Sequence, residues 1–178
     1  MTKIFRILAI SGSTRAGSTN SAMLATARAV VPEGAAVDIY EGLRSLPHFD
    51  PDDDRDPLPA AVADLRGQLT EADAVLLCTP EYAGALPGSF KNLLDWAVGS
   101  EAMDGKPVAW INVSSSITGA AGAHASLRTV LGYLSTRIVE DACVHIPVPR
   151  NAVGVDGLVH DDAVREQARK ALSALATG

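Results

Sequence analysis

The sequence lacks most of what marks a nucleic-acid, membrane or metal protein. Its 178 residues include only two cysteines and 4% aromatics, and the formal net charge is -6. That balance supplies no basic face of the kind nucleic acid requires. Cys78 and Cys143 form no CxxC pair, and each lies in an apolar stretch, where a free thiol is ordinarily buried. The apolar run Ile4–Ile10 is too short for a secretion signal with its cleavage site. No stretch is long and apolar enough to span a bilayer, so membrane insertion is not expected and a cytoplasmic location is. The dinucleotide fingerprint GxGxxG and the phosphate loop GxxxxGK[ST] are both missing. His48, His124, His145 and His160 show no metal-ligand spacing. The carboxylates Asp50, Asp52, Asp53, Asp54 and Asp56 lack the glycine and terminal glutamate of a calcium loop and read as a solvated surface segment.

What is present is an aliphatic core. Apolar residues make up 47% of the chain, chiefly Ala, Val, Leu and Ile. The length suits one domain, residues 1–178. Strand and helix patterns alternate throughout. Ile4–Ile10 reads as a buried strand, Ala36–Tyr40 as a second, Ala74–Thr79 as a third, Lys106–Val113 as a fourth and Ile138–Val148 as a fifth. Ser18 can cap a helix running to about Val31, and further helices fit Leu58–Thr70, a segment capped by Ser89, a stretch carrying Leu127, Val130, Leu131 and Leu134, and Asp161–Leu175. Five strands alternating with five helices imply an α/β fold, a parallel sheet covered on both faces. Ligands in such sheets bind beyond the carboxyl ends of the strands. Small-residue loops follow the first, third and fourth strands, so they are expected to gather at one edge.

The first of these loops is Ser11-Gly12-Ser13-Thr14-Arg15-Ala16-Gly17-Ser18-Thr19-Asn20. It leaves a strand and opens a helix, whose N-terminus offers unpaired N–H groups and partial positive charge. Five hydroxyls and one guanidinium surround that point, with no carboxylate. This donor set suits a terminal phosphate, and an ordinary capped turn is the plainer alternative. In the helix after the second loop, Lys91 and Asp95 are spaced for an i,i+4 pair. Trp96 reads as packing or subunit contact.

SGSTRAGSTN resembles the GSxRxxSxN loop of the NADPH-dependent FMN reductase family. The second loop, PEYAGALPG, with the following FKNLLDW, is similar to that family's PEYN…P-G-x-x-K-N-x-x-D-W signature. The resemblance runs from about Ile7 to Arg150. It implies a flavodoxin-like three-layer sandwich with strand order 2-1-3-4-5 and a bound FMN reduced by NADPH or NADH. By position, Ser11, Ser13, Arg15, Ser18, Thr19 and Asn20 would hold the phosphate and nearby ribityl chain. Pro80, Glu81, Tyr82, Ala83 and Gly84 would lie along the isoalloxazine. Ser115, Ser116 and Gly119 would approach its polar edge. No side chain need act as nucleophile or base, because the chemistry belongs to the cofactor. The electron acceptor would be a quinone, free flavin or similar small molecule. The family also implies a homodimer or homotetramer, with Leu46–Asp54 near the neighbour's flavin and His48 and Phe49 as candidates. One departure stands out: Ala83 occupies the position of the family's Asn, which bears on reduction potential and substrate preference. The competing reading is a flavodoxin-type electron carrier, but those have a T-x-T-x-x-T loop without Arg and aromatic rings on both sides of the flavin.

Overall fold

The computed structural model describes residues 3–178. Strand β1 (Phe5–Ser11) is followed by helix α1 (Thr19–Ala29), β2 (Ala35–Tyr40), α2 (Ala60–Glu71), β3 (Ala74–Cys78), α3 (Gly88–Val98) and β4 (Pro107–Asn112). Helix α4 (Ala121–Tyr133), the short strands β5 (Arg137–Ile138) and β6 (Val144–His145), and α5 (Asp162–Thr177) complete the chain. All pairings are parallel, and the order is β2-β1-β3-β4-β5 with β6 also against β4.

Strand periodicity explains the layers. Successive side chains point to opposite faces, so Leu8, Ile10, Val75, Leu77, Val108 and Trp110 meet α2, α3 and α4. Their neighbours Ile7, Ala9, Leu76, Cys78, Ala109 and Ile111 meet α1 and α5. Every residue of β3 is buried, as a central strand covered on both sides requires. The architecture is the flavodoxin-like three-layer sandwich with the expected order. The loops after β1, β3 and β4 leave adjacent strands at their carboxyl ends.

Three expectations need correction. The fifth strand is not continuous over Ile138–Val148. It breaks at the 3-10 turn Glu140–Ala142, where Ala142 turns inward and is fully buried and Glu140 reaches out to Arg128 of α4 through two hydrogen bonds. Adjacent acidic residues are poor strand formers, and the segments on either side still pair with β4 through Val139 N–H to Val108 O and Ile146 N–H to Asn112 O. Ser89 does not cap α3. Pro87 occupies that place, its carbonyl accepting from the N–H groups of Phe90 and Lys91. Cys78 is buried, but Cys143 is only half-buried.

The aspartate-rich loop is also less uniform than it reads. Asp54 is drawn into a largely buried ion pair with Arg66 at 2.7 Å, and Arg66 also donates to the carbonyl of Trp96. Among the described residues no cluster of His, Cys, Asp and Glu could hold a metal ion, and no helix is long and apolar enough to cross a membrane.

Candidate functional site

The β1–α1 loop is shaped by its own hydroxyls. Ser11 Oγ accepts from Ser13 N–H, Ser13 Oγ from Arg15 N–H, and Ser18 Oγ, the N-cap of α1, from Ser21 N–H. After those bonds are made, the N–H groups of Thr14, Ala16, Gly17, Ser18, Thr19 and Asn20 find no acceptor among the described residues. A run of free amides at a helix N-terminus is an anion-binding concavity. Gly12 permits the close approach of this loop to the next one. A Cβ there would lie 2.3 Å from Thr79 Oγ1 and 3.0 Å from Phe90. Asn20 is 6% exposed. Its Oδ1 accepts from the Cys78 thiol at 3.4 Å, which leaves the amide NH2 as the group without a protein partner.

The β3–α3 loop contains a tight turn. Tyr82 and Ala85 exchange both backbone hydrogen bonds, at 3.0 and 3.1 Å. Ala83 and Gly84 between them have φ of 50° and 74°. Positive φ at both central residues defines a type I′ turn, whose preferred dipeptide is Asn-Gly. The departure at Ala83 therefore costs backbone energy as well as an amide, because a Cβ in left-handed conformation is disfavoured. Ala83→Asn is expected to raise stability by about 1 kcal/mol, read as a higher urea midpoint at unchanged slope. An unchanged or lower midpoint would mean that the turn is not what strains this position.

The β4–α4 loop is held by groups that the sequence did not single out. Asn112, buried at the end of β4, donates from Nδ2 to Gly119 O and accepts at Oδ1 from Ser114 N–H. Its signal was a lone amide closing an apolar strand. His145 is 2.7 Å from Ser114 O through Nε2, and His124 is 2.9 Å from Ala120 O through Nδ1. A carbonyl only accepts, so each of those nitrogens carries the proton. His124 Nε2 is then a bare lone pair, buried and without a partner. Burial pushes the His124 pKa below the usual histidine range, with His145 adding to the shift. Helix α4 has no capping side chain of its own. Glu81 supplies one from the neighbouring loop, its Oε2 accepting from Ala123 N–H at 3.0 Å, the favourable sign at a helix N-terminus.

These loops enclose a cleft of about 400 Å³. Its walls include Thr19, Asn20, Thr79, Pro80, Glu81, Ser114, Ser115, Ser116, Thr118 and Arg150. Of the residues singled out from the sequence, Thr19, Asn20, Pro80, Glu81, Ser115 and Ser116 thus share one cavity. Ser11, Ser13 and Ser18 belong to the same β1 loop as Thr19 and Asn20 but are not on the cavity wall. Arg15, Tyr82, Ala83, Gly84 and Gly119 do not line it; Arg15 is exposed, and Tyr82 is 52% exposed. Ile117, fully exposed, projects from the β4 loop. A wider groove of about 850 Å³ runs on the α3 side from Thr14 past Leu46, His48 and Phe49 to Lys91. Within it Phe49 N–H donates to Asn92 Oδ1, and Lys91 pairs with Asp95 as the spacing predicts. Trp96 is fully buried.

The model of the family described as NADPH-dependent FMN reductase matches residues 5–148. The chain belongs to this family. An NAD(P)H-dependent FMN reductase of Pseudomonas aeruginosa is 35% identical over 177 residues, 98% of this chain and 95% of that protein. A quinone reductase of Escherichia coli K12 is 30% identical over 142 residues, 78% of this chain and 76% of that protein. Among solved structures, the flavoenzyme NAD(P)H:(acceptor) oxidoreductase FerB of Paracoccus denitrificans superposes with a TM-score of 0.79 at 28% identity, covering 97% of this chain and 96% of that one. The FMN reductase family match takes in all three loops of the cleft and stops two residues short of Arg150.

Proposed function

We propose that this protein is an FMN-dependent oxidoreductase that takes electrons from NADPH or NADH and delivers them to a quinone, free flavin or similar small acceptor. The observation that carries the reading is the cluster of free amides at α1, opening onto a hydroxyl-lined cleft at the carboxyl edge of the sheet, in a chain of the FMN reductase family. The cleft fits a flavin nucleotide on its own chemistry. Its size of about 400 Å³ lies in the range of small-molecule sites. The partnerless amide of Asn20 and the first-turn N–H groups of α1 are donors waiting for an acceptor.

In this reading Ser11, Ser13, Ser18, Thr19 and Asn20 hold the phosphate and the near end of the ribityl chain, with Arg15 of the same loop, outside the cleft wall, adding positive charge. Pro80 to Gly84 support the isoalloxazine, and Ser115, Ser116 and Gly119 meet its polar edge. When bound, FMN would supply the two-electron chemistry between the nicotinamide and the acceptor. The chain's part is to bind, orient and stabilise charge. Glu81 ties the β3 loop to the start of α4 and Asn112 braces the β4 loop internally, so the donors are in place before the ligand arrives. Among the described residues of the three cleft loops, Tyr82 is the one exposed large aromatic. A site walled by rings on both sides is the mark of a carrier, so the open side favours the reductase over a flavodoxin-type carrier.

The whole chain acts as one domain in this proposal, in the cytoplasm, where reduced nicotinamide dinucleotides are supplied. The groove along Leu46, His48 and Phe49 is the face we assign to contact between copies in a homodimer or homotetramer. Steady-state oxidation of NADH and NADPH by the FMN-loaded protein, with a quinone or ferricyanide as acceptor, tests the activity. Turnover with at least one nucleotide is expected. FMN binding without turnover on either would leave only the carrier, and a protein that stays colourless after incubation with FMN would end both readings.

A further inference from the structure

Arg150 is a cation without a counter-charge. It opens the 3-10 turn Arg150–Ala152 after β6, is exposed, and its guanidinium makes no ion pair or hydrogen bond among the described residues. It nevertheless lines the cleft, facing a space also bounded by Thr19 and Asn20, the first two residues of α1. The N–H groups of those two residues are free. Asn20, more than nine-tenths buried, directs a partnerless amide NH2 to the same region because Cys78 occupies its oxygen. Among the described residues the only carboxylate on the cleft wall is Glu81, and one of its oxygens is taken by α4. The cleft therefore has a helix N-terminus on one side and an unspent guanidinium on another. That pairing complements an oxyanion, and in a nucleotide-binding cleft the oxyanion is a phosphate.

We propose that Arg150 is a phosphate-binding residue of this cleft, completing from the β6 side an anion site whose other half is the N-terminus of α1. The proposal rests on the nucleotide reading above and goes beyond it. The shared family motif places its guanidinium at Arg15, which is exposed and does not line the cleft. Arg150 lies outside the family match and reaches the cleft from a different strand. The phosphate comes from FMN or from the nicotinamide dinucleotide, and the two sources separate experimentally.

The apo-protein is titrated with FMN and, separately, with riboflavin, which has the same ring and ribityl chain but no phosphate. Fluorescence quenching reads both affinities for the wild type, Arg150→Ala and Arg150→Lys. Loss of a charge-assisted contact predicts FMN binding weaker by about tenfold or more in Arg150→Ala, with riboflavin unchanged within about twofold and partial recovery in Arg150→Lys. If FMN affinity holds but KM for NADH or NADPH rises at unchanged kcat, the phosphate held is the dinucleotide's. Equal losses for FMN and riboflavin, or no change in any of these constants, overturn the proposal while leaving the FMN reading intact. A wild-type protein that binds neither flavin overturns both. Since Arg150 is exposed and unpaired, the alanine variant is expected to fold, and its urea midpoint provides the control.

Discussion

Replacing Trp96 by alanine is expected to lower the unfolding free energy by about 3–5 kcal/mol, the cost typical of truncating a fully buried large aromatic. The side chain is inaccessible to solvent and lies in the cluster formed by α2, α3 and the sheet. Three further contacts make the site hard to collapse. The indole Nε1–H donates to Pro47 O at 2.9 Å. The ring meets Phe49 edge to face, with centroids 4.9 Å apart, and the carbonyl of residue 96 takes two hydrogen bonds from Arg66. Removing the indole leaves a cavity and frees the Leu46–Phe49 segment, whose other ties run through Asn92. Urea unfolding reads the loss as a lower midpoint. A loss below about 1 kcal/mol would show that the surrounding elements close over the gap, which interiors packed to crystal density rarely do. Trp96→Phe keeps most of the volume but not the hydrogen bond, and should fall between the two.

The second large effect is expected at Gly122. A Cβ at this position would lie 2.2 Å from Gly84 O, 2.9 Å from Gly84 C and 3.0 Å from Glu81 Oε2. Two of these are backbone atoms of the type I′ turn, so no rotamer change relieves the contact. Helix α4 and the β3 loop must separate, and the Glu81–Ala123 bond that couples them must lengthen or break. Gly122→Ala is expected to weaken FMN binding by about tenfold or more and to cost about 1–3 kcal/mol of stability, the range for overpacking a tight contact. The sign is informative. Alanine in an unconstrained helix would add about 1 kcal/mol relative to glycine, so a net loss isolates the steric term. A variant that is more stable and binds FMN as before would show that the two loops are not held at this distance.

Much of this architecture can be read from the residues. The uniformly apolar run Ala74–Cys78 identifies a central strand, because only burial on both faces removes alternation. Ser18 identifies the start of α1, because a hydroxyl before an apolar helical pattern has a backbone donor to satisfy. Once β1, β3 and β4 are taken as neighbours, convergence of their loops follows from geometry. What resisted reading depends on contacts distant in sequence. The turn at Glu140 is set by Arg128 on another helix, and the paired strand pieces have the composition of one strand. Ser89 has the chemistry of a cap, but Pro87 two residues earlier already presents its carbonyl to the helix. Gly122 reads as an unremarked helical glycine until the β3 loop is laid against it. Arg150 belongs to no motif, and only the return of β6 beside β4 brings it over the cleft. At Ala83 the sequence revealed the missing amide, whereas the positive φ that explains a preference for Asn there is visible only in the turn.

If the acceptor is a quinone, as proposed, the two thiols have a consequence for the chemistry. A quinone is an electrophile as well as an oxidant, and thiolates rather than thiols attack it. Cys78 lies directly beneath the cleft, yet it is inaccessible, and burial raises its pKa far above the ordinary cysteine range. Cys143 is half-buried and its pKa is pushed up to about 11, chiefly by loss of solvent, so the thiol form dominates at neutral pH. The hydrogen bond that orients Asn20 is therefore made by a sulfur that electrophiles cannot reach.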